Sequence, residues 1–213
     1  MAAERNDGAT VTARGDAVVA GTPDEGIWDV MVDALDASPD AALADVGRRT
    51  GELQGVLDEL GVPKERRSTT GVSVREEFDH TDGKQVHRGF RASNVLTIRL
   101  TDPTVAGRLI QGAVEHAGAH VAGPRWWIAP DNPARVEACR QAATEAKRKA
   151  EAFADALGLE LGAVVEIREP NPSGVAPRMR MAPVALAAAS APVEVDPGEL
   201  SVDAQVEVTY RLR

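Results

Sequence analysis

Residues Gly89 to Leu100 have the sequence Gly-Phe-Arg-Ala-Ser-Asn-Val-Leu-Thr-Ile-Arg-Leu. Alternate positions are mostly apolar, which predicts a β-strand with one buried face. That face would carry Phe90, Ala92, Asn94, Leu96, Ile98 and Leu100. Asn94 is the exception, because a buried amide without partners costs about 1 to 3 kcal/mol. We therefore predict that Asn94 makes a structural polar contact at a sheet or subunit junction and has no catalytic role.

Three helices are predicted from a capping residue followed by proline, with a glycine at the far end. They run from Ser38-Pro39 to Gly61, from Asp102-Pro103 to Gly118, and from Asn132-Pro133 to Gly158. Spacings of three and four in the third helix predict an apolar seam of small residues that a neighbour can approach closely. Its members are Val136, Cys139, Ala143, Ala146, Ala150, Phe153 and Leu157.

The remaining apolar runs have a period of two and predict strands. The run from Val11 to Val19 and the run from Trp28 to Ala34 are predicted to form a hairpin. Further strands are predicted at 70–74, 121–128 and 161–168, with a polar loop from Asp79 to Arg88. The clearest alternation, from Leu200 to Leu212, predicts a strand with a single dry face. We predict an α+β fold of largely antiparallel sheets with three main helices packed on them, as one domain over 10–213 after a flexible tail over 1–9.

Composition limits the partners and the location. The net charge of −9 repels polyphosphate, so we predict no nucleic-acid partner. No run of 18 or more apolar residues occurs, so we predict no transmembrane segment. The amino terminus, Met-Ala-Ala-Glu-Arg-Asn-Asp-Gly, has acidic and amide residues where a signal peptide would have its apolar core, and we predict a cytoplasmic location.

Candidate chemical sites are few, and each has a structural alternative. His116 and His120 have a metal-like spacing that Gly118 interrupts, and His80 and His87 flank a charged loop whose residues are more often solvated. The single cysteine, Cys139, is expected to be a small buried core residue. The adjacent pair Trp126 and Trp127 is expected to place one ring in the core and the other on a second layer or a partner. We predict no catalytic, cofactor-binding or metal-binding residues.

Two features indicate assembly. Gly47, Gly51 and Gly55 repeat every four residues in the first helix, and each costs about 1 kcal/mol relative to alanine. Close approach of another helix, from this subunit or its neighbour, would offset that cost; chance in a glycine-rich chain is the alternative. The Pro/Ala-rich segment 170–199 is predicted to be a long loop, either a contact with another protein or a mobile surface loop. Its basic and apolar residues are Arg178, Met179, Arg180 and Met181.

The chain resembles the SIMPL domain family of unknown function in four places. These are Val11 to Ala17 (Val-Thr-Ala-Arg-Gly-Asp-Ala), the Gly-Phe-Arg-Ala-Ser-Asn stretch at 89–94, the Ala-Lys-Arg-Lys-Ala run at 146–150, and Pro-Gly-Glu at 197–199. The family includes the bacterial periplasmic immunogenic protein and proteins described as oxidative-stress defence factors. The resemblance implies an α+β fold, large hollow homo-oligomers for some members, and no established catalytic residues. The glycine series in the first helix departs from the family pattern.

The resemblance leads to two expectations about function. The first is a non-enzymatic protein that self-assembles into a large homo-oligomer, a hollow scaffold in stress defence. The second is a protein-binding adaptor that acts as a monomer or dimer. Family members are typically exported, whereas the residues at the start of this chain favour the cytoplasm.

Overall fold

The computed structural model describes residues 8–81, 84–170, 178–179 and 195–213. In chain order the elements are β1 (Thr10–Gly21), β2 (Glu25–Asp36), α1 (Pro39–Glu59), a 3-10 turn (Lys64–Arg66), β3 (Arg67–Thr81), β4 (Lys84–Leu100), α2 (Thr104–Ala117), β5 (His120–Trp127), α3 (Pro133–Ala156), β6 (Leu161–Arg168), β7 (Arg178–Met179) and β8 (Leu200–Leu212). Every strand pair is antiparallel. The predicted α+β class with three main helices is confirmed.

The chain divides into two compact units. The first unit contains Met1–Pro23, Ile128–Pro183 and Gly198–Arg213, and the second contains Asp24–Trp127 and Val184–Pro197. The assignment of 10–213 to a single domain stays a prediction. Residues 1–7 of the predicted amino-terminal tail lie outside the described residues, whereas the Ala9 carbonyl accepts a hydrogen bond from the Leu212 N–H at 2.7 Å.

The sheet of the first unit has the order β1-β8-β6, and β7 pairs with the start of β8. β8 fulfils the predicted alternation, with Leu200, Val202, Val208 and Tyr210 buried. Its partner β1 stays in register from Thr10 opposite Arg211 to Gly21 opposite Leu200. The predicted hairpin between the first two strands is therefore wrong, because β2 pairs in the other sheet. Alternation specifies which residues share a face but not which strand lies alongside.

Helix α3 contacts this sheet through alanines. Its buried side chains are Ala134, Ala138, Ala142, Ala146, Ala150 and Ala154, a row with a spacing of four. The predicted seam is wrong in most of its members: Val136, Phe153 and Leu157 are exposed, and so is Cys139, which was expected in the core. The reason lies on β1. A methyl group on Gly15 would lie 1.9 Å from the carbonyl oxygen of Ala142, so only a small-residue row can approach this strand.

The second unit has a sheet of order β3-β4-β2-β5 with α1 and α2 packed on one face. Its core contains larger side chains, among them Trp28, Leu53, Leu57, Leu96, Ile98 and Leu109. The expected face of β4 is buried at Ala92, Leu96, Ile98 and Leu100, whereas Phe90 and Asn94 are half-buried. The predicted polar loop from Asp79 to Arg88 is wrong, because β3 continues to Thr81 and β4 starts at Lys84.

The starts of α1 and α3 match the predicted signals, whereas α2 starts at Thr104 with Pro103, not Asp102, as its N-cap. The Ser38 hydroxyl accepts from the Ala41 N–H at 3.1 Å, and Asn132 Oδ1 accepts from the Ala134 N–H at 2.9 Å. These bonds satisfy backbone donors that have no partner inside the helix. Gly118 ends α2 with a φ of 53°, the left-handed conformation that glycine adopts most easily.

Candidate assembly surfaces

The three repeated glycines of α1 face outward. A methyl group added to Gly47, Gly51 or Gly55 would meet no atom within 4 Å. Among the described residues, no helix of the same subunit therefore approaches this row closely. Contact with a neighbouring subunit stays a prediction.

The unit that contains the glycine row also has exposed apolar side chains. Leu43 is exposed and continues the row by one helical turn before Gly47. On β3, Val72 is 65% exposed and Val74 is also exposed. Val72 lies directly across from Asn94 of β4, so both side chains leave the sheet on the face that carries α1. We call this set the glycine surface: Gly47, Gly51, Gly55, Leu43, Val72 and Val74.

Asn94 joins the sheet to α1. Its Nδ2 donates to Thr50 Oγ1 at 3.2 Å, and its Oδ1 is buried with no hydrogen-bond partner among the described residues. Thr50 is the residue before Gly51, so this polar contact lies at the border between the buried face of α1 and the glycine surface. The structure thus gives Asn94 a structural partner, and its importance for assembly stays a prediction.

Two arginines that sequence reasoning missed fix the position of α1. The Arg67 side chain is only 5% exposed and donates to Gln54 Oε1 at 2.7 Å, to the Val62 carbonyl at 2.5 Å and to Asp58. Arg49 donates to the carbonyls of Ala117 and Gly118, which have no partners within their own helix. No local pattern predicts this role, since arginine is ordinarily expected at the surface.

The face of the second sheet opposite its helices carries cross-strand ion pairs. Arg125 of β5 donates to Asp29 of β2, and that bond, with a second from Thr97, lowers the pKa of the Asp29 carboxyl below its usual value. Arg91 of β4 bridges Glu77 and Asp33, and these two carboxylates raise its pKa. A carboxylate whose pKa is lowered in this way, as that of Asp29 is, suits a structural ion pair better than proton transfer.

The residues with possible chemistry do not converge. His116 lies in the last turn of α2, whereas His120 starts β5 with Nε2 3.3 Å from Asp33 Oδ1. His87 packs edge-on against Phe78 and Phe90, with ring centroids 5.2 and 5.4 Å away. Within the part of the chain that the structure describes, no three His, Cys, Asp or Glu side chains are placed to hold a metal ion.

The tryptophan pair does not reach the deep core. Trp127 is exposed and Trp126 is half-buried, whereas Trp28 is the buried tryptophan of the second unit. In the 170–199 segment, the backbone of Arg178 and Met179 pairs with Ser201 and Leu200 of β8. Arg180 and Met181, with most of that segment, lie outside the described residues. No helix among the described residues is long and apolar enough to cross a membrane.

This architecture defines the class of the protein: an α+β protein in which one antiparallel sheet carries α3 and the other carries α1 and α2. The chain belongs to the SIMPL family, described as a protein of unknown function (DUF541), whose model matches residues 11–210. Among its relatives, the uncharacterized protein YggE of Escherichia coli K12 is 25% identical over 100% of this chain and 88% of its own length. The 26 kDa periplasmic immunogenic protein of Brucella melitensis is 26% identical over 96% of this chain and 85% of its own.

A comparison with solved structures adds a weak likeness. The de novo designed protein Foldit4 matches 49% of this chain and 98% of its own length, with 13% identity and a TM-score of 0.27. That TM-score is too low to indicate a shared fold.

Proposed function

We propose that this chain is a non-enzymatic SIMPL protein that assembles with copies of itself into a large homo-oligomer, a hollow scaffold with a role in stress defence. The observation that carries the proposal is the glycine surface. Three glycines in a helix interior cost about 3 kcal/mol relative to alanine, and no helix among the described residues takes advantage of their small size. A helix of a neighbouring subunit that approached the row would offset this cost through close backbone packing.

Exposed apolar side chains of the same unit support the same proposal. Leu43, Val72 and Val74 are exposed, and exposed apolar patches on folded proteins commonly mark interfaces. The stress-defence role and the hollow form come from the family resemblance. The Brucella relative is named periplasmic, whereas we predict a cytoplasmic location for this chain. Osmotic-shock fractionation of cells distinguishes them.

The experiment is light scattering after gel filtration of the full chain at micromolar concentration. We expect a mass many times the 22.5 kDa of one chain. Gly51→Leu should lower that mass, because the larger side chain blocks close approach while leaving the subunit folded. The matched control is Ala143→Leu, at an exposed position of α3, which should leave the mass unchanged.

A monomeric wild-type protein would contradict the proposal. A monomer or dimer that captures another protein, and loses it when 170–199 is deleted, would instead favour the adaptor. The proposal also contains no metal, and elemental analysis of the purified protein tests that part directly.

A further inference from the structure

A small cavity lies in the second unit, where β4 ends and α2 begins. Its volume is about 190 Å³, and a cavity of about 150 Å³ already holds a benzene-sized molecule. Its apolar wall comes from the connection after α1, the end of β4 and the first turn of α2, and consists of Leu60, Val62, Pro63, Leu100 and Val105. The cavity therefore has the size and the lining of a site for a small molecule.

Two arginines line the same cavity and share one carboxylate. Arg66 Nη1 lies 2.7 Å from Glu25 Oε1, and Arg99 Nη1 lies 3.6 Å from Glu25 Oε2. The Glu25 side chain is only 13% exposed. In the described part of the chain no other acceptor bonds to either guanidinium group, so the pair keeps one excess positive charge and free N–H donors. Such a planar fork binds a carboxylate through two parallel hydrogen bonds.

Asp102 adds a negative group to the lining of the cavity. Its Oδ1 accepts from the Thr104 hydroxyl at 2.7 Å and from the Thr104 N–H at 2.9 Å. These two bonds lower the pKa of the Asp102 carboxyl below its usual value, so the group is ionised at neutral pH. Among the described residues no hydrogen bond reaches its Oδ2, and this oxygen can accept one from an ammonium group of a ligand.

Charges of both signs on one small apolar cavity match a zwitterion with an apolar side chain. We propose that the cavity binds a free aliphatic α-amino acid of about the size of leucine, with its carboxylate on Arg66 and Arg99 and its ammonium group on Asp102. The aliphatic side chain lies against the apolar wall. A monocarboxylate would leave Asp102 without a partner, and a simple amine would leave the arginines without an anion. Every residue of the cavity belongs to the second unit, so binding does not depend on the proposed self-assembly.

Isothermal titration calorimetry of the full chain at neutral pH, with L-leucine as the probe, tests this site. We expect saturable binding of one L-leucine per chain. Two analogues each lack one charged group: 4-methylpentanoate has no ammonium group, and 3-methylbutylamine has no carboxylate. Each should bind about ten-fold more weakly than L-leucine, because a hydrogen bond between charged groups contributes about 1.5 to 3 kcal/mol.

Two variants test the charged residues separately. Arg99→Gln should weaken L-leucine binding about ten-fold, because it removes one guanidinium fork. The matched control is Arg75→Gln, at another exposed arginine of the same unit that does not line the cavity, and it should leave binding unchanged. Asp102→Asn should weaken the binding of L-leucine about ten-fold without weakening that of 4-methylpentanoate. A general loss of folding would weaken both ligands alike.

The outcomes for the site and for the assembly are distinct. Absence of saturable L-leucine binding, in a protein that circular dichroism shows to be folded, would overturn the amino-acid site and leave the proposed assembly untouched. Equal binding of L-leucine and 4-methylpentanoate would show a monocarboxylate site and overturn the role of Asp102. A wild-type protein that binds L-leucine as a monomer would support the site and contradict the proposed function alone.

Discussion

Helices α1 and α3 both repeat small residues at every fourth position, but α3 buries its row and α1 exposes its row. On α3 the alanines from Ala134 to Ala154 lie against the sheet, where Gly15 allows close approach. On α1 the glycines lie in open space while Leu53 and Leu57 occupy the core. A period-four row of small residues therefore identifies a surface suited to close packing. The partner on that surface depends on whether the helix has larger side chains to bury elsewhere.

The strongest test of this difference is Gly15→Val. Its Cβ would overlap the Ala142 carbonyl and the Ala146 amide, both of which are backbone, so the helix must move. We expect the free energy of unfolding to fall by about 3 kcal/mol or more, measured by urea denaturation followed by circular dichroism. Gly71→Val on β3 is the matched control, since its nearest new neighbours lie 3.9 Å away. If Gly15→Val lowered the free energy of unfolding only as much as Gly71→Val does, the packing of α3 would not depend on its close approach to β1.

The second test enlarges the buried row itself. Ala146 is fully buried, and Ala146→Leu should lower the free energy of unfolding by about 1 to 3 kcal/mol through overpacking. Ala143→Leu, three residues earlier on an exposed position, should change it by less than about 0.5 kcal/mol. All three tryptophans belong to the second unit, so their fluorescence reports on the unfolding of that unit. Comparing it with circular dichroism shows whether the loss of stability is confined to the first unit. Equal losses of stability in the two variants would show that the alanine row with Ala146 is not the surface through which α3 contacts the sheet.

A smaller effect is expected at the border of the glycine surface. Thr50→Val removes the acceptor of the Asn94 amide and should cost about 1 kcal/mol. In a double-mutant cycle with Asn94→Leu, the coupling energy should be about 0.5 to 1 kcal/mol. Chemical denaturation provides all four free energies of the cycle, and light scattering of the same variants shows the effect on mass. If the changes in the free energy of unfolding were additive and Asn94→Leu left the oligomeric mass unaltered, this contact would have neither a structural role nor a role in assembly.

The smallest effect has the opposite sign. Gly51→Ala should raise the free energy of unfolding of the isolated subunit by about 0.5 to 1 kcal/mol, because alanine is the better helix former and the added methyl meets no atom. The measurement is urea denaturation at a protein concentration where light scattering shows separated subunits. If Gly51→Ala instead destabilised the separated subunit, the glycine row would pack inside its own subunit. The row of α1 would then be buried, as the alanine row of α3 is.

Much of the fold could be predicted from local signals. Ser38 and Asn132 cap their helices as expected, and the alternation of β8 follows its burial. The pairing of β1 could not be predicted, because any alternating strand could be its neighbour. The buried row of α3 was missed for a similar reason: in an alanine-rich helix several rows are equally apolar, and the choice depends on Gly15, far away in sequence.

The candidate surfaces were only partly visible. The glycine series was evident from its spacing, since glycine in a helix interior is unusual. Its exposure depends on packing between elements and cannot be read from spacing. Arg67 was missed because its role arises from four acceptors that only the folded chain brings together. The cavity at the end of β4 was equally hidden, because its lining comes from segments that are separate in the sequence.

The pairing of β1 with β8 also determines an order of events during synthesis. Thr12 and Thr209 lie side by side in the sheet yet are 197 residues apart in the chain. All strands and helices of the second unit lie between them and can fold while the chain is still growing on the ribosome. β1 must wait, without its partner, until β8 has been made. The first unit therefore begins earliest and is completed last.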